Sequence, residues 1–241
     1  MMAQTITFDI EEDSASLFTN NNPTTTVTVA VPKDKTTVEA ALGAFTPDES
    51  DTTGKTYTGE LTLTRTGTEE VEVTVTDVTL SEGTATITID DAAAKEDVAL
   101  TMTAKTTDKN GVVVASLKFD ATKAAEAVAK AGTKEVKLGV ELNTKNTKNV
   151  TSLFKKWFKN KNIAVVKMAQ KGEFGFTVEA AVKVDLKNFN KNNLKFYSYN
   201  AATNTYKEIE TKYTIDAKGL VHFNTTVGNY IIITDAPIAS K

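Results

Sequence analysis

The sequence has no cysteine and only one histidine, His222, in its 241 residues. The absence of cysteine excludes disulfides, cysteine-ligated zinc, iron–sulfur clusters and a cysteine nucleophile. A single histidine leaves almost no material for a histidine zinc site or for Ser-His-Asp catalysis. No apolar run reaches the roughly 18 residues of a membrane span. These absences favour a binding protein over an enzyme and indicate no membrane insertion.

Charge and aromatic residues are distributed unevenly along the chain. Residues 1–120 contain 8 Lys and Arg against 21 Asp and Glu, whereas residues 121–241 contain 20 against 10. Thirteen of the 18 aromatic residues lie in the second half. Such a shift predicts two lobes. We assign residues 1–119 to the first lobe, 120–133 to a connecting helix and 134–241 to the second lobe.

The first lobe is predicted to be an immunoglobulin-like β-sandwich. Seven short stretches alternate apolar and polar residues, which buries one face of a strand, and turn-forming residues separate them. The abundant threonines favour strands because their branched Cβ suits a pleated surface. Asp77 breaks one alternation and predicts a β-bulge. Residues Val38 to Phe45 are read as one helical turn.

The second lobe is predicted to be β-rich with one short helix. Asp120 can cap the connecting helix and Gly132 can end it. Residues 136–142 are read as a strand, 143–149 as a polar loop and about 152–161 as a helix. Later strands are expected at 163–168 and 174–184, followed by a β-meander over 194–199, 206–209, 213–215, 220–224 and 230–234.

Two aromatic segments are candidate carbohydrate sites, because aromatic faces stack on sugar rings and polar side chains bond to hydroxyls. The first lies on the helix of the second lobe, and its candidate residues are Phe154, Trp157, Lys159 and Asn160. The alternative is that its apolar stripe packs on a sheet. The second lies on the first strand of the meander, where Tyr197 and Tyr199 share one face and Tyr206 pairs across the turn. Its alternative is a cross-strand tyrosine pair that only stabilises the sheet.

Acidic clusters are the remaining candidate sites. Asp90-Asp91 and the segment 48–51 offer oxygen ligands for calcium, but neither has the spacing of a known calcium loop. Otherwise no cofactor is expected. His222 is interpreted as a surface or packing residue. The near absence of arginine argues against nucleic-acid binding.

The C-terminal strands resemble a β-meander of secreted clostridial and ruminococcal proteins that often precedes a dockerin in cellulosome-like or amylosome-like assemblies. The resemblance covers about 50 of the 241 residues and is carried by 194–200, 206–209, 215–223 and 228–235. The two-lobed plan and the threonine-rich first lobe also look like a starch adherence system domain. This resemblance implies a secreted or cell-surface β-module, within a scaffold or dockerin context, and assigns no binding residue.

The leading expectation is therefore a non-catalytic carbohydrate-binding module for a starch-type α-1,4-glucan at the bacterial surface. The alternative is a structural or protein-interaction module, such as a spacer, an adhesin or a scaffold partner. Residues Met1 to Gln4 show no basic and apolar leader, and we expect an exported protein whose leader is missing from this sequence. Tyr197 and Tyr199 are expected to face water, and the glycan hypothesis fails if these two rings and Trp157 are all buried.

Overall fold

The computed structural model describes part of the chain. The backbone is described for residues 4–8, 25–31, 37–45, 57–66, 71–79, 84–88, 99–108, 110–120, 123, 130, 135–138, 140–159 and 161–238. Side chains are described for residues 108, 110–120, 123, 130, 140–159 and 161–238. This part of the chain is mainly β, as the alternating pattern predicts.

The strands of residues 1–141 are β1 (Gln4–Phe8), β2 (Thr25–Val31), β3 (Thr37–Phe45), β4 (Tyr57–Thr66), β5 (Val71–Thr79), β6 (Thr84–Thr88), β7 (Ala99–Asp108), β8 (Val113–Asp120), β9 (Glu135–Leu138) and β10 (Val140–Glu141). Helix α1 (Lys145–Trp157) follows. The remaining strands are β11 (Ile163–Met168), β12 (Glu173–Lys183), β13 (Lys195–Asn200), β14 (Thr205–Ile209), β15 (Tyr213–Ile215), β16 (Leu220–Val227) and β17 (Tyr230–Thr234).

These strands form three sheets. One has the order β1-β2-β5-β6-β9, a second β10-β11-β17-β13-β14, and the third β15-β16-β12-β8-β7-β4-β3. All pairs are antiparallel except β1 with β2, which is parallel. The pairing of β5 with β6 shifts register between Thr76 and Thr79, which confirms the bulge predicted at Asp77. Residues 37–45 form β3, so the helical turn predicted there is wrong.

Two sheets combine strands from both predicted lobes. Strand β8 pairs with β12 in the register Leu117 to Ala180, and β9 pairs with β6 in the register Val136 to Ile87. Backbone hydrogen bonds therefore join residues on the two sides of the connecting segment predicted at 120–133. The division into two lobes stays a prediction. In the connecting segment, Lys123 is helical and its N–H donates to Asp120 Oδ1 at 3.1 Å, as expected for an N-cap.

The five-stranded sheet that contains β13 lies between helix α1 and the seven-stranded sheet. Along β13, Phe196 stacks on Phe223 of β16 with ring centroids 4.8 Å apart. The neighbouring Tyr199 points the other way, and its ring lies 5.1 Å from that of Phe154 on α1. Because both faces of this sheet are covered, β17 reads as a continuous apolar run whose three isoleucines, 231–233, are 0% exposed.

Helix α1 begins earlier than predicted. Residues 145–149, read from sequence as a loop, form its first turns, and Lys159 lies beyond its end. Thr144 is the N-cap: its Oγ1 accepts from the Thr147 N–H at 3.3 Å, and Thr147 Oγ1 accepts from the Thr144 N–H at 2.9 Å. This reciprocal pair is a capping box with threonine in place of the usual Glu or Gln, which explains why the pattern was missed.

The predicted β-meander is also wrong, although its strands were placed within a few residues of their positions. Hairpin β13–β14 lies in the five-stranded sheet, hairpin β15–β16 lies in the seven-stranded sheet, and β17 returns between β11 and β13. The chain alternates between sheets because the apolar faces of both hairpins pack against each other across the sandwich. Phe196 contacts both Tyr213 and Phe223 in this way.

Candidate functional site

The predicted carbohydrate platform on β13 is buried. Tyr197 is 3% exposed, Tyr199 is 4% exposed and their cross-strand neighbour Tyr206 is 5% exposed. The expectation that Tyr197 and Tyr199 face water is therefore wrong. The physical reason is that α1 packs on this face of the sheet, which gives β13 two buried faces. The pairing of Tyr199 with Tyr206 is confirmed in the register of β13 and β14.

Phe154 lies at the centre of this buried layer and is 0% exposed. Its ring is 5.1 Å from Tyr199, 5.6 Å from Tyr206, 5.3 Å from Trp157 and 6.0 Å from Phe158. Edge and tilted contacts at these distances are favourable for aromatic pairs. Phe154 is thus a core residue, as the packing alternative states, and offers no face to a ligand.

The hydroxyls of Tyr197 and Tyr199 are hydrogen-bonded within the protein. The Ile238 N–H donates to Tyr197 Oη at 3.1 Å, and Tyr199 Oη donates to Asn204 Oδ1 at 3.1 Å. Burial raises the pKa of Tyr199, and the neighbouring Tyr230 raises it further. Burial likewise raises the pKa of Tyr206, with a smaller contribution from Tyr197. These groups stay neutral near pH 7 and serve the stability of the layer.

Part of the aromatic layer still reaches the surface. Trp157 and Tyr230 are half-buried and flank Tyr199, each with its ring centroid 6.1 Å from the Tyr199 ring. Lys167 lies over Tyr230 at 5.8 Å and forms an ion pair of 3.5 Å with Glu141. We call Trp157, Tyr199 and Tyr230 the ring rim. Of the aromatic residues predicted from sequence to stack on sugars, all of which lie in the described part of the chain, Trp157 is the one that stays partly accessible to solvent.

Of the polar residues predicted beside Trp157, Lys159 is exposed. Asn160 lies outside the described residues. Tyr230 was missed by the sequence reasoning because it was read only as the first residue of a strand. A partial signal was present, because the turn residues Gly228-Asn229 just before Tyr230 mark it as the end of a strand.

Two clefts open on the described surface. One, of about 680 Å³, lies between β14 and β16 and is lined by Tyr206 and many polar groups, among them Asn200, Asn224 and Asn229. The other, of about 760 Å³, lies at the loops after β7 and β12 and is bordered by Lys183, Lys187, Lys191, Asp108 and Asp185. Neither cleft has an accessible aromatic ring beside its polar lining residues.

His222 lies between two carboxylates on the outer face of the seven-stranded sheet. Its Nε2 lies 2.8 Å from Asp216 Oδ2, and its Nδ1 lies 3.9 Å from Glu179 Oε1. The hydrogen bond from His222 lowers the pKa of Asp216 most, and the N–H groups of Leu220 and Lys218 lower it further, while desolvation acts in the opposite direction. Asp216 thereby holds the β15–β16 turn, which fits the predicted packing role of His222.

Neither a metal-binding group nor a membrane-spanning helix is found among the residues that the structure describes. Among the residues with described side chains, no group of three or more His, Asp or Glu side chains is placed to hold a metal ion. The segments considered for calcium, Asp90-Asp91 and 48–51, lie outside the described residues. Within the described chain, no helix is long and apolar enough to cross a membrane.

Comparisons with known proteins give no relative for this chain. No protein family matches it, no curated protein matches it, and no solved structure matches it.

Proposed function

We propose that this chain is a non-catalytic structural or protein-interaction module of a secreted multi-domain protein. The observation that carries the proposal is the burial of the aromatic layer. Phe154, Tyr197, Tyr199 and Tyr206 are each at most 5% exposed, so these rings hold the helix on the sheet. The resemblance of the C-terminal strands to modules that precede dockerins supports the secreted setting. An immunoglobulin-like arrangement of residues 1–119 belongs to the same proposal.

The carbohydrate-binding hypothesis remains a second candidate because of the ring rim. Trp157 and Tyr230 keep part of their rings accessible at 6.1 Å on either side of Tyr199. Each of these partly accessible rings can cover one sugar, and the side chains of Lys167 and Glu141 next to Tyr230 can bond to hydroxyls. Each stacked ring adds only about 0.5–1.5 kcal/mol beyond area burial, so such a site would bind weakly.

Affinity electrophoresis with amylopectin, soluble cellulose and mucin separates the two candidates. The structural proposal expects no retardation on any of these polysaccharides, and no change in Trp157 fluorescence on addition of maltooligosaccharide. Retardation on any of them would overturn it.

Variants then assign any retardation to a surface. Trp157→Ala and Tyr230→Ala are expected to abolish retardation that arises at the ring rim. Phe189→Ala is the matched control, because Phe189 is also half-buried but lies in the loop between β12 and β13. Equal loss in the control would exclude the ring rim as the binding surface.

A further inference from the structure

The larger cleft, of about 760 Å³, is lined by residues at the ends of β7, β10, β12 and β15 and in the loops that follow them. We call it the loop cleft. Its size is in the range of cavities that hold a small organic ligand. Its apolar lining residues are Val114, Leu142, Val184, Leu186 and Ile215. Three of these, Val114, Leu142 and Leu186, belong to the buried core, so the inner wall of the cleft is apolar.

Positive side chains outnumber negative ones at the border of the loop cleft. Lys183, Lys187 and Lys191 are all exposed, and they face two carboxylates, Asp108 and Asp185. Among the side chains that the structure describes, none of these three lysines forms an ion pair. Three lysines against two aspartates leave one net positive charge at the border. This balance suits a ligand with a single negative charge.

Both carboxylates of the border already accept backbone hydrogen bonds from their own turns. Asp108 Oδ1 accepts from the N–H groups of Asn110 at 2.9 Å and Val112 at 3.0 Å. Asp185 Oδ1 accepts from the Lys187 N–H at 2.9 Å. These bonds give the two aspartates a structural role in the turns. The ammonium groups of the lysines are therefore the border charges that a ligand can engage.

The loop between β12 and β13 carries two of these lysines and is held in place by side chains from other parts of the chain. The Lys191 carbonyl oxygen accepts from Tyr213 Oη at 2.7 Å, and the Leu194 N–H donates to the same hydroxyl at 3.0 Å. Asp235 Oδ2 accepts from the Asn190 N–H at 2.8 Å. Because the loop is fixed within the fold, a ligand does not have to order it, which lowers the free-energy cost of binding.

We propose that the loop cleft binds an organic monoanion with an apolar body, of the chemical class of a medium-chain carboxylate. The apolar body contacts the inner wall, where Val184 and Ile215 are half-buried, and the carboxylate meets Lys187 and Lys191 at the border. The two aspartates repel a second negative charge, so a polyanion is disfavoured. No residue of the ring rim lines this cleft. The site therefore goes beyond the proposed structural role and does not depend on it.

Fluorescence of anilinonaphthalene sulfonate, itself an apolar monoanion, tests the proposal when the dye is titrated into the full chain. We expect saturable binding at a single site. Octanoate should displace the dye at a concentration at least about fivefold below that needed with octanol, which lacks the charge. Acetate, which lacks the apolar body, should displace it still less effectively.

Variants assign the bound anion to the loop cleft. Lys187→Gln/Lys191→Gln should weaken octanoate binding by about fivefold, because two ion contacts of ordinary surface strength are lost. Val184→Ser should weaken it by a similar factor through lost apolar contact. The matched control is Lys155→Gln/Lys159→Gln, which removes the same charge from exposed lysines that line neither cleft, and it should bind like the unmodified chain. Circular dichroism checks that each variant is folded, and the lysine pair alone decides the outcome if Val184→Ser unfolds.

Several results would overturn the proposal. They are the absence of saturable dye binding, displacement by octanol or acetate at the same concentration as octanoate, and unchanged octanoate binding in Lys187→Gln/Lys191→Gln. Equal loss in the control variant would also overturn it. A comparable loss in Trp157→Ala would assign the anion to the ring rim and would likewise overturn the assignment to the loop cleft.

Discussion

Replacement of Phe154 by alanine tests the central structural statement, that the aromatic residues of α1 and β13 form a core and not a platform. Phe154 is 0% exposed and has four aromatic neighbours with ring centroids between 5.1 and 6.0 Å. Truncation of a buried Phe to Ala costs about 3–5 kcal/mol, from lost transfer free energy and from the cavity left behind.

The four ring contacts place the expected loss at the upper part of that range, about 4 kcal/mol, since aromatic pairs add to area burial. Against a total free energy of unfolding of about 5–15 kcal/mol, this is a large fraction. For a chain of this size, the loss corresponds to a fall in Tm of roughly 8–16 °C.

Urea unfolding followed by circular dichroism measures the change, with the denaturant dependence of the free energy expected to stay constant. Ser152→Ala is the matched control, because it removes a side-chain oxygen from the exposed side of the same helix and should change stability by no more than about 0.5 kcal/mol. A loss below about 1 kcal/mol for Phe154→Ala would show that the ring is not packed between helix and sheet.

Three further predictions concern turns and caps. Gly228→Ala should lower the free energy of unfolding by about 1–3 kcal/mol, measured by urea unfolding. The added Cβ would collide with the backbone carbonyl group of Gln170, which no side-chain rotation can relieve. An unchanged urea midpoint would contradict this packing. Thr144→Ala should cost about 1 kcal/mol through loss of the α1 N-cap, and a thermal melt equal to that of the unmodified chain would refute the capping role. Asp216→Asn should lower the free energy of unfolding near neutral pH, and the two proteins should become equally stable at acidic pH. The reason is that the pKa of Asp216 in the folded state lies below its unfolded value of about 4. The resulting stabilisation is present above pH 4 and is lost as pH falls through the folded pKa. Urea midpoints measured from pH 2 to 7 check this, and a difference that does not depend on pH would contradict it.

The strands could be predicted closely because each depends on local alternation. Segments 163–168, 213–215 and 230–234 were placed at their observed bounds. The start of α1 could not be predicted in the same way, since Thr144 and Thr147 cap it without an acidic residue. The order of the strands in a sheet depends on which apolar faces meet in space. Nothing in the local sequence indicates that β13 belongs to one sheet and the hairpin β15–β16 to another.

The candidate site failed for a related reason. Alternation along β13 correctly placed Tyr197 and Tyr199 on one face of the sheet. It could not tell whether water or another layer covers this face, because tyrosine suits either environment. The covering layer is α1, whose rings were themselves read as a possible site. Two aromatic surfaces that each looked available to a ligand pack on each other.

The hydrogen bonding of β8 to β12 has a consequence for how the protein is made. During synthesis β8 leaves the ribosome well before β12 does, and α1 with β9, β10 and β11 must follow first. Until β12 arrives, the nascent chain holds a row of backbone N–H and C=O groups on β8 that its own later residues must satisfy. Completion of the seven-stranded sheet is therefore a late, non-local event, and slow translation or early termination would leave a species prone to pair with other chains.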